Sequence, residues 1–215
     1  MKVSPFVRLG LIGLTALLAL APQAATFASA PVGTPVDPNT LTPVPPPQFN
    51  PVCWTTNTGV MCHVQFSDPP APDQGTGLFC QSGATNYEVL QTPNRAVNGL
   101  RWYNQDKKLV EKRYTEDGYG TYKNTVTGAI LKYVQNDIVH TMPSVPGDES
   151  TGTVTVTGVQ ARVFRPNGRT VLIDVGVSTY GGDGSFISHV GVHPLDDYYA
   201  LGDTDALQPI CDALK

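Results

Sequence analysis

The sequence predicts a mainly β protein, an antiparallel sandwich or barrel with a short C-terminal helix disulfide-linked to the sheet. Three observations lead there. From Leu78 onward, short alternating runs of Val, Ile, Leu and Tyr recur between turn-forming clusters such as NQDK (104–107), TEDGYG (115–120) and TYGGDG (179–184), the rhythm of antiparallel strands. The stretch VQARVFRPNGRTVLIDVGV (159–177) sets Asn167 and Gly168 as a tight two-residue turn between two alternating apolar runs, the strongest short-range hairpin signal. The chain end then changes period, with Leu207, Ile210, Cys211 and Leu214 at i, i+3, i+4 and i+7, one stripe of an α-helix.

Taken in order, residues 1–30 read as a secretory signal peptide. Lys2 and Arg8 flank the start, LGLIGLTALLALA (9–21) is apolar, and small residues lead to Ala28, Ser29 and Ala30. The run is shorter than the roughly 20 residues of a membrane-spanning helix, so the mature product is expected to be extracellular or in the cell envelope with no stable membrane span. Cleavage removes Lys2 and Arg8 and takes the formal charge from −4 to −6. A net acidic chain is a poor nucleic-acid partner, because neutralising phosphates needs a basic surface. Residues 31–51, PVGTPVDPNTLTPVPPPQFNP, predict an extended proline-rich tether. Residues 52–77 predict a small hairpin around Asn57, Thr58 and Gly59, followed by a proline-rich link. The antiparallel β domain with its C-terminal helix is assigned to 78–215, with strands at 86–91, 96–103, 109–115, 120–123, 129–134, 138–142, 152–157, 159–163, 171–177 and 186–192.

Four cysteines in a secreted chain imply two disulfides, with three possible connectivities. Cys53 and Cys62 flank one turn and are natural partners, which leaves Cys80 for Cys211 on the core-facing stripe of the helix. No CxxC pair points to a zinc ribbon or a redox site. Asp205 with Gln208 three residues on has the form of a capping box, and Pro209 then falls in the first helical turn. LDDYYAL (195–201), ended by Gly202, predicts a second short helical turn.

The chemistry-bearing residues form two candidate groups. Arg101, Tyr103, Arg113, Tyr114 and Tyr122 lie in the aromatic and basic central strands and suit a binding face, since aromatic faces stack and guanidinium groups chelate oxyanions. Arg101 and Tyr103 share one face of their strand, opposite Leu100 and Trp102. His189, His193, Asp196 and Asp197 form a candidate polar site near the end. The two histidines are four apart on a predicted strand, about 13 Å at 3.3 Å per residue, too far for two ligands of one zinc ion without a bend. The aspartates lack the order of an EF-hand loop and suit helix N-termini. There is no G-x-S-x-G elbow, no HExxH and no phosphate-binding glycine loop. Glu111, Glu116 and Asp174 are the carboxylates a glycosidase would draw on. No catalytic residue, metal or cofactor is assigned.

NTVTG (124–128), the PNG hairpin with LIDVG after it, HPLDDYYALGDT (193–204) and the terminal LxxICxxL helix (207–214) together resemble small secreted proteins of high-GC Gram-positive bacteria. The resemblance covers Leu78 to Lys215. It implies secretion and a β-rich body, and no substrate or catalytic residue. The expected role is a monomeric, non-enzymatic binding or envelope-associated module whose partner is a cell-wall or extracellular polymer. The alternatives are a secreted hydrolase with an acidic and histidine-bearing site, and a ligand-carrying β-barrel.

Overall fold

The structure, a computed structural model, describes residues 33–68 and 71–215. The expected signal peptide lies outside the described residues, as do Pro31, Val32, Pro69 and Pro70. The described elements are β1 (Pro35–Val36), β2 (Val52–Thr56), β3 (Gly59–Ser67), β4 (Gln74–Ser82), β5 (Thr85–Tyr103), β6 (Leu109–Asn124), β7 (Ile130–Met142), β8 (Thr153–Phe164), β9 (Thr170–Gly181), β10 (Phe186–Val192), α1 (Pro194–Tyr199) and α2 (Gln208–Leu214). All strand pairs are antiparallel, in the order β1-β2-β3-β5-β6-β7-β8-β9-β10, with β4 also pairing β5. The predicted class holds: one antiparallel sheet with a short C-terminal helix.

The strands are longer than the alternation suggests. The stretches 86–91 and 96–103 are one strand, β5, and both β4 and β3 pair along the same edge of it, one on each half. Likewise 109–115 and 120–123 merge into β6, 129–134 and 138–142 into β7, and 152–157 and 159–163 into β8. The hairpin at 166–168 has a three-residue loop, not the two-residue turn the sequence suggests: Arg165 N donates to Arg169 O, and Gly168, at φ 84°, closes the turn on Arg165 O.

The sheet curls around α2, which packs on β4, β7 and β9. Val89, Leu131, Val163 and Leu172 from the sheet meet Ile210 and Leu214 from α2 and Leu207 just before it. The Cys80–Cys211 disulfide fastens the helix to β4. The sequence motifs around the helix are its C-terminal anchors. Asn124 accepts from Val126 N (2.7 Å) and Thr127 N (3.1 Å), and donates through Nδ2 to Leu214 O at 2.9 Å. Arg165 Nη1 donates to Ala213 O at 3.0 Å. These satisfy carbonyls that a helix end leaves free. The N-terminus differs from expectation: the N-cap is Leu207 with no side-chain cap, and Asp205 serves through its carbonyl, which accepts from Gln208 N. The helix starts too late for the Asp205–Gln208 box to form. At the open seam, α1 reaches β4, with Tyr199 Oη donating to Thr76 O at 2.9 Å and Tyr198 Oη to Gly77 O at 3.4 Å.

Residues 33–51 are not a free tether. β1 pairs with β2, Thr42 N donates to Lys107 O, and Leu109 N donates to Thr42 O. Leu41, 2% exposed, packs with Cys53, Cys62, Tyr103 and Leu109, and the Phe49 ring lies 5.2 Å from Phe66. Prolines favour extended backbone, and the apolar residues between them anchor that backbone to the sheet. The 52–67 hairpin is no separate unit either, since β3 pairs with β5 from Val60 to Ser67, and Cys53–Cys62 bridges directly opposed residues of it.

Candidate ligand-binding cleft

The polar and glycine-containing stretches that read as turns are the middles of long strands, and the register stacks them side by side. Arg95 lies opposite Gly118, which lies opposite Gln135. Val97, Glu116, Asp137 and Gly158 form the next row. These positions share the inner face of the sheet with the core residues Val89, Leu131 and Tyr133, because side chains repeat with period two. β8 carries a bulge at Gln160 against both neighbours: Val159 and Ala161 pair with Val175 and Asp174, and Gln135 has no single partner. A bulge of this kind turns an additional side chain toward one face, here Gln160 beside Ala161.

The result is a cleft of about 500 Å³ on the inner face, above the level filled by α2. Gln91, Gln135 and Gln160 supply amides, Tyr122 and Tyr133 supply aromatic surface, and Leu195 of α1 closes one side. The two tyrosine rings stack with centroids 5.0 Å apart. Burial pushes the Tyr122 hydroxyl above its ordinary value, so it is a neutral donor and acceptor. Arg95 is the cation of the cleft wall, 3.5 Å from Asp68 and 3.5 Å from Glu116. Behind Gln135 sits Asp137, 2% exposed, whose Oδ2 accepts from Gln135 Nε2 at 2.8 Å. Its Oδ1 is buried without a hydrogen-bond partner among the described residues. Burial pushes the Asp137 carboxyl up to about 6, against the hydrogen bond from Gln135, and the neighbouring Glu116 adds to the rise.

Gln160 connects the cleft to a buried network. Its Nε2 donates to Ser178 Oγ (2.7 Å), Ser178 Oγ donates to Asp196 Oδ2 (2.5 Å), and Tyr180 Oη donates to Asp196 Oδ1 (2.5 Å). His193 Nδ1 lies 3.0 Å from Asp174 Oδ1 and 3.2 Å from Ser178 Oγ, while its Nε2 faces Val190 O at 3.1 Å. Asp174 Oδ2 accepts from Leu195 N. Burial raises the Asp174 carboxyl above its ordinary value. Serine, histidine and aspartate meet here without forming a catalytic triad. In a triad the serine and the aspartate use opposite ring nitrogens, whereas here both face Nδ1, a backbone carbonyl occupies Nε2, and Ser178 is fully buried. The ring fits because Gly176, at φ 142°, leaves its place open: a Cβ there would lie 2.6 Å from His193 Nε2 and 2.2 Å from Val190 O.

The predicted polar site is thus brought together in part. His193 and Asp196 enter this network, and His189 lies beside it, 3.3 Å from Asp197 and with its ring 5.0 Å from that of His193. The predicted aromatic and basic face is not a surface. Arg101 and Tyr103 do share a face, but it is the inner one, each only 2% exposed. Arg101 donates to Tyr103 Oη and Tyr114 Oη at 2.9 Å each and to Glu149 Oε1 at 2.5 Å, and Glu149 also pairs with Lys112. Burial is tolerated because every donor direction used finds an acceptor. Tyr114 is buried with them, Tyr122 faces the cleft, and Arg113 alone points outward on the other face of β6. Of the three carboxylates named for a glycosidase, Glu111 pairs with His140 on the outside, Asp174 is buried in the histidine network, and Glu116 pairs with Arg95 of the cleft wall.

Sequence reasoning missed Arg95, Gln135, Asp137 and Gln160. A signal existed: polar residues occupying inward-phase positions at the same height in four successive strands. Compared with family models, curated proteins and solved structures, the chain matches none.

Proposed function

We propose that this protein is a secreted, extracellular or envelope-associated binding module whose cleft holds a hydroxyl-rich, uncharged ligand, a saccharide unit of a cell-wall or extracellular polymer. The observation that carries this reading is the cleft lining, in which amides from three strands surround a stacked tyrosine pair with one arginine at the rim. Amides present donors and acceptors together, as sugar hydroxyls require, and tyrosine offers an apolar face with a polar edge. The two disulfides fit an oxidising, extracellular setting, and the resemblance of the chain's motifs to small secreted proteins supports secretion. A carrier of apolar ligands is less well supported, since α2 fills the apolar part of the interior. Titration calorimetry against soluble cell-wall glycan fragments and neutral oligosaccharides tests the proposal. Saturable heat that is lost in Gln91→Ala is the expected result, and no heat with any saccharide contradicts it.

One observation favours the hydrolase as a second reading. Glu116 and Asp137 are directly opposed on adjacent strands, one beside Arg95 and the other pushed up to about 6. Unequal carboxyls are the arrangement of an acid and a base. It ranks second because Asp137 lies behind Gln135, out of reach of a bound glycan. Release of reducing ends from a bound polymer, abolished in Glu116→Gln, would promote it.

A further inference from the structure

Among the described residues β10 ends the strand order and forms its backbone ladder with β9 alone, so its other edge presents N–H and C=O groups that no described strand pairs. Natural edges of this kind are shielded by charged residues, proline or a covering element. Between Phe186 and Val192 there is no proline, lysine, arginine, aspartate or glutamate. Ile187, Val190 and Val192 are 54%, 75% and 55% exposed. Ile187 lies at a bulge, and behind Val190 and Val192 on the outer face stand their β9 partners Val177 and Val175, so from Ser188 to Val192 the edge is regular and continues a valine surface.

We propose that β10 pairs with β10 of a second copy of this chain, antiparallel about a two-fold axis at Val190. The strand is self-complementary in that register. Val190 meets the second copy's Val190, Ser188 meets Val192, and His189, its one titratable side chain, meets Gly191. Shifting the axis by one residue to His189 would bring the bulge at Ile187 into the paired span, opposite Gly191. With no lysine, arginine, aspartate or glutamate on the strand, self-pairing sets no such charges against each other. A closed two-fold pair also uses up the edge, which a head-to-tail arrangement would leave open for further growth. The paired span, Ser188 to Val192, is a five-residue seam that buries less than a standard interface, so the pair dissociates on dilution.

Sedimentation of the purified protein across a concentration series tests this, with two variants. Wild type is expected to move from the mass of one chain to that of two as concentration rises. Val190→Lys sets like charges on the axis and holds the mass at one chain. The site is mostly exposed, so its melting temperature matches wild type. Val190→Cys is trapped as a covalent pair under mild oxidation, because directly opposed residues of antiparallel strands lie within disulfide reach, whereas Val134→Cys, exposed on the outer face of β7, is not. A wild type that remains one chain at every concentration overturns the proposal. So does a Val190→Lys protein that still pairs, or equal trapping through Val134→Cys.

Discussion

His193 places Nδ1 3.0 Å from Oδ1 of Asp174, with both side chains fully shielded from solvent. Nε2 faces the carbonyl of Val190, which only accepts, so that nitrogen carries a proton. One further proton then lies between Nδ1 and the carboxyl, on either partner. The pair therefore adds no net charge to the interior. It holds the end of β10 and the start of α1 against β9, since Leu195 N bonds the second oxygen of the same carboxyl.

Removing the ring tests that role. His193→Ala leaves Asp174 buried without its partner, and breaking a buried pair from one side costs about 3–5 kcal/mol. Urea unfolding at neutral pH reads this directly. A loss below about 1 kcal/mol, the scale of an exposed pair, contradicts the account.

Asp137 makes stability depend on pH in a stated direction. Its carboxyl is raised from 3.8 to about 6 in the fold, so the fold favours the protonated form. That contribution is complete below about pH 4 and is lost as pH rises through 6. Asp137→Asn, which stays neutral, is expected to gain on wild type by roughly 2–3 kcal/mol between pH 4 and pH 7. Unfolding curves of both proteins over that range check it, and a constant difference counts against it.

Glu149 ties the loop between β7 and β8 to Arg101 and Lys112. Burial alone would raise its carboxyl, but Lys112 and Arg101 outweigh burial and hold it below its ordinary value. Its stabilisation is thus present at neutral pH and fades as pH falls through that lowered value. Glu149→Gln should cost about 3 kcal/mol at pH 7 by leaving Arg101 unpaired, and much less at an acid pH below that lowered value. A penalty of equal size at both pH values would place its cause in packing instead.

The two disulfides differ in span, 131 residues for Cys80–Cys211 and 9 for Cys53–Cys62. Loop entropy assigns roughly 5 kcal/mol to the first and roughly 2.5 kcal/mol to the second. Paired alanine variants, compared by denaturant midpoint, should rank in that order. The reverse ranking would mean that the unfolded chain is already constrained near Cys80.

Much of this architecture is legible in the sequence, including the strand-rich body, the terminal helix and the core-facing Cys211. The cleft is not, and for a physical reason. TEDGYG, QND and the region around Pro93 carry turn chemistry, yet Pro93 needs no ladder bond on the β5 edge left between β3 and β4, and Gly118 and Gly120 make room for side chains of β7. Turn-like composition marks the cleft because a polar interior uses the same residue types as a solvated loop. Arg101 was misplaced for a related reason. Period-two alternation groups it with Tyr103 but does not say which side faces inward, and an interior that pairs its own charges looks polar in sequence.

The most direct test of the binding reading follows the side-chain NH2 resonances of Gln91, Gln135 and Gln160 during titration with a neutral cell-wall saccharide. The account predicts that these three shift together and saturate, while the amides of Gln81 and Gln208, which line a separate hollow beside the Cys80–Cys211 disulfide, stay in place. Saturable shifts confined to other residues, or none at all, would contradict the assignment of the cleft as the binding site.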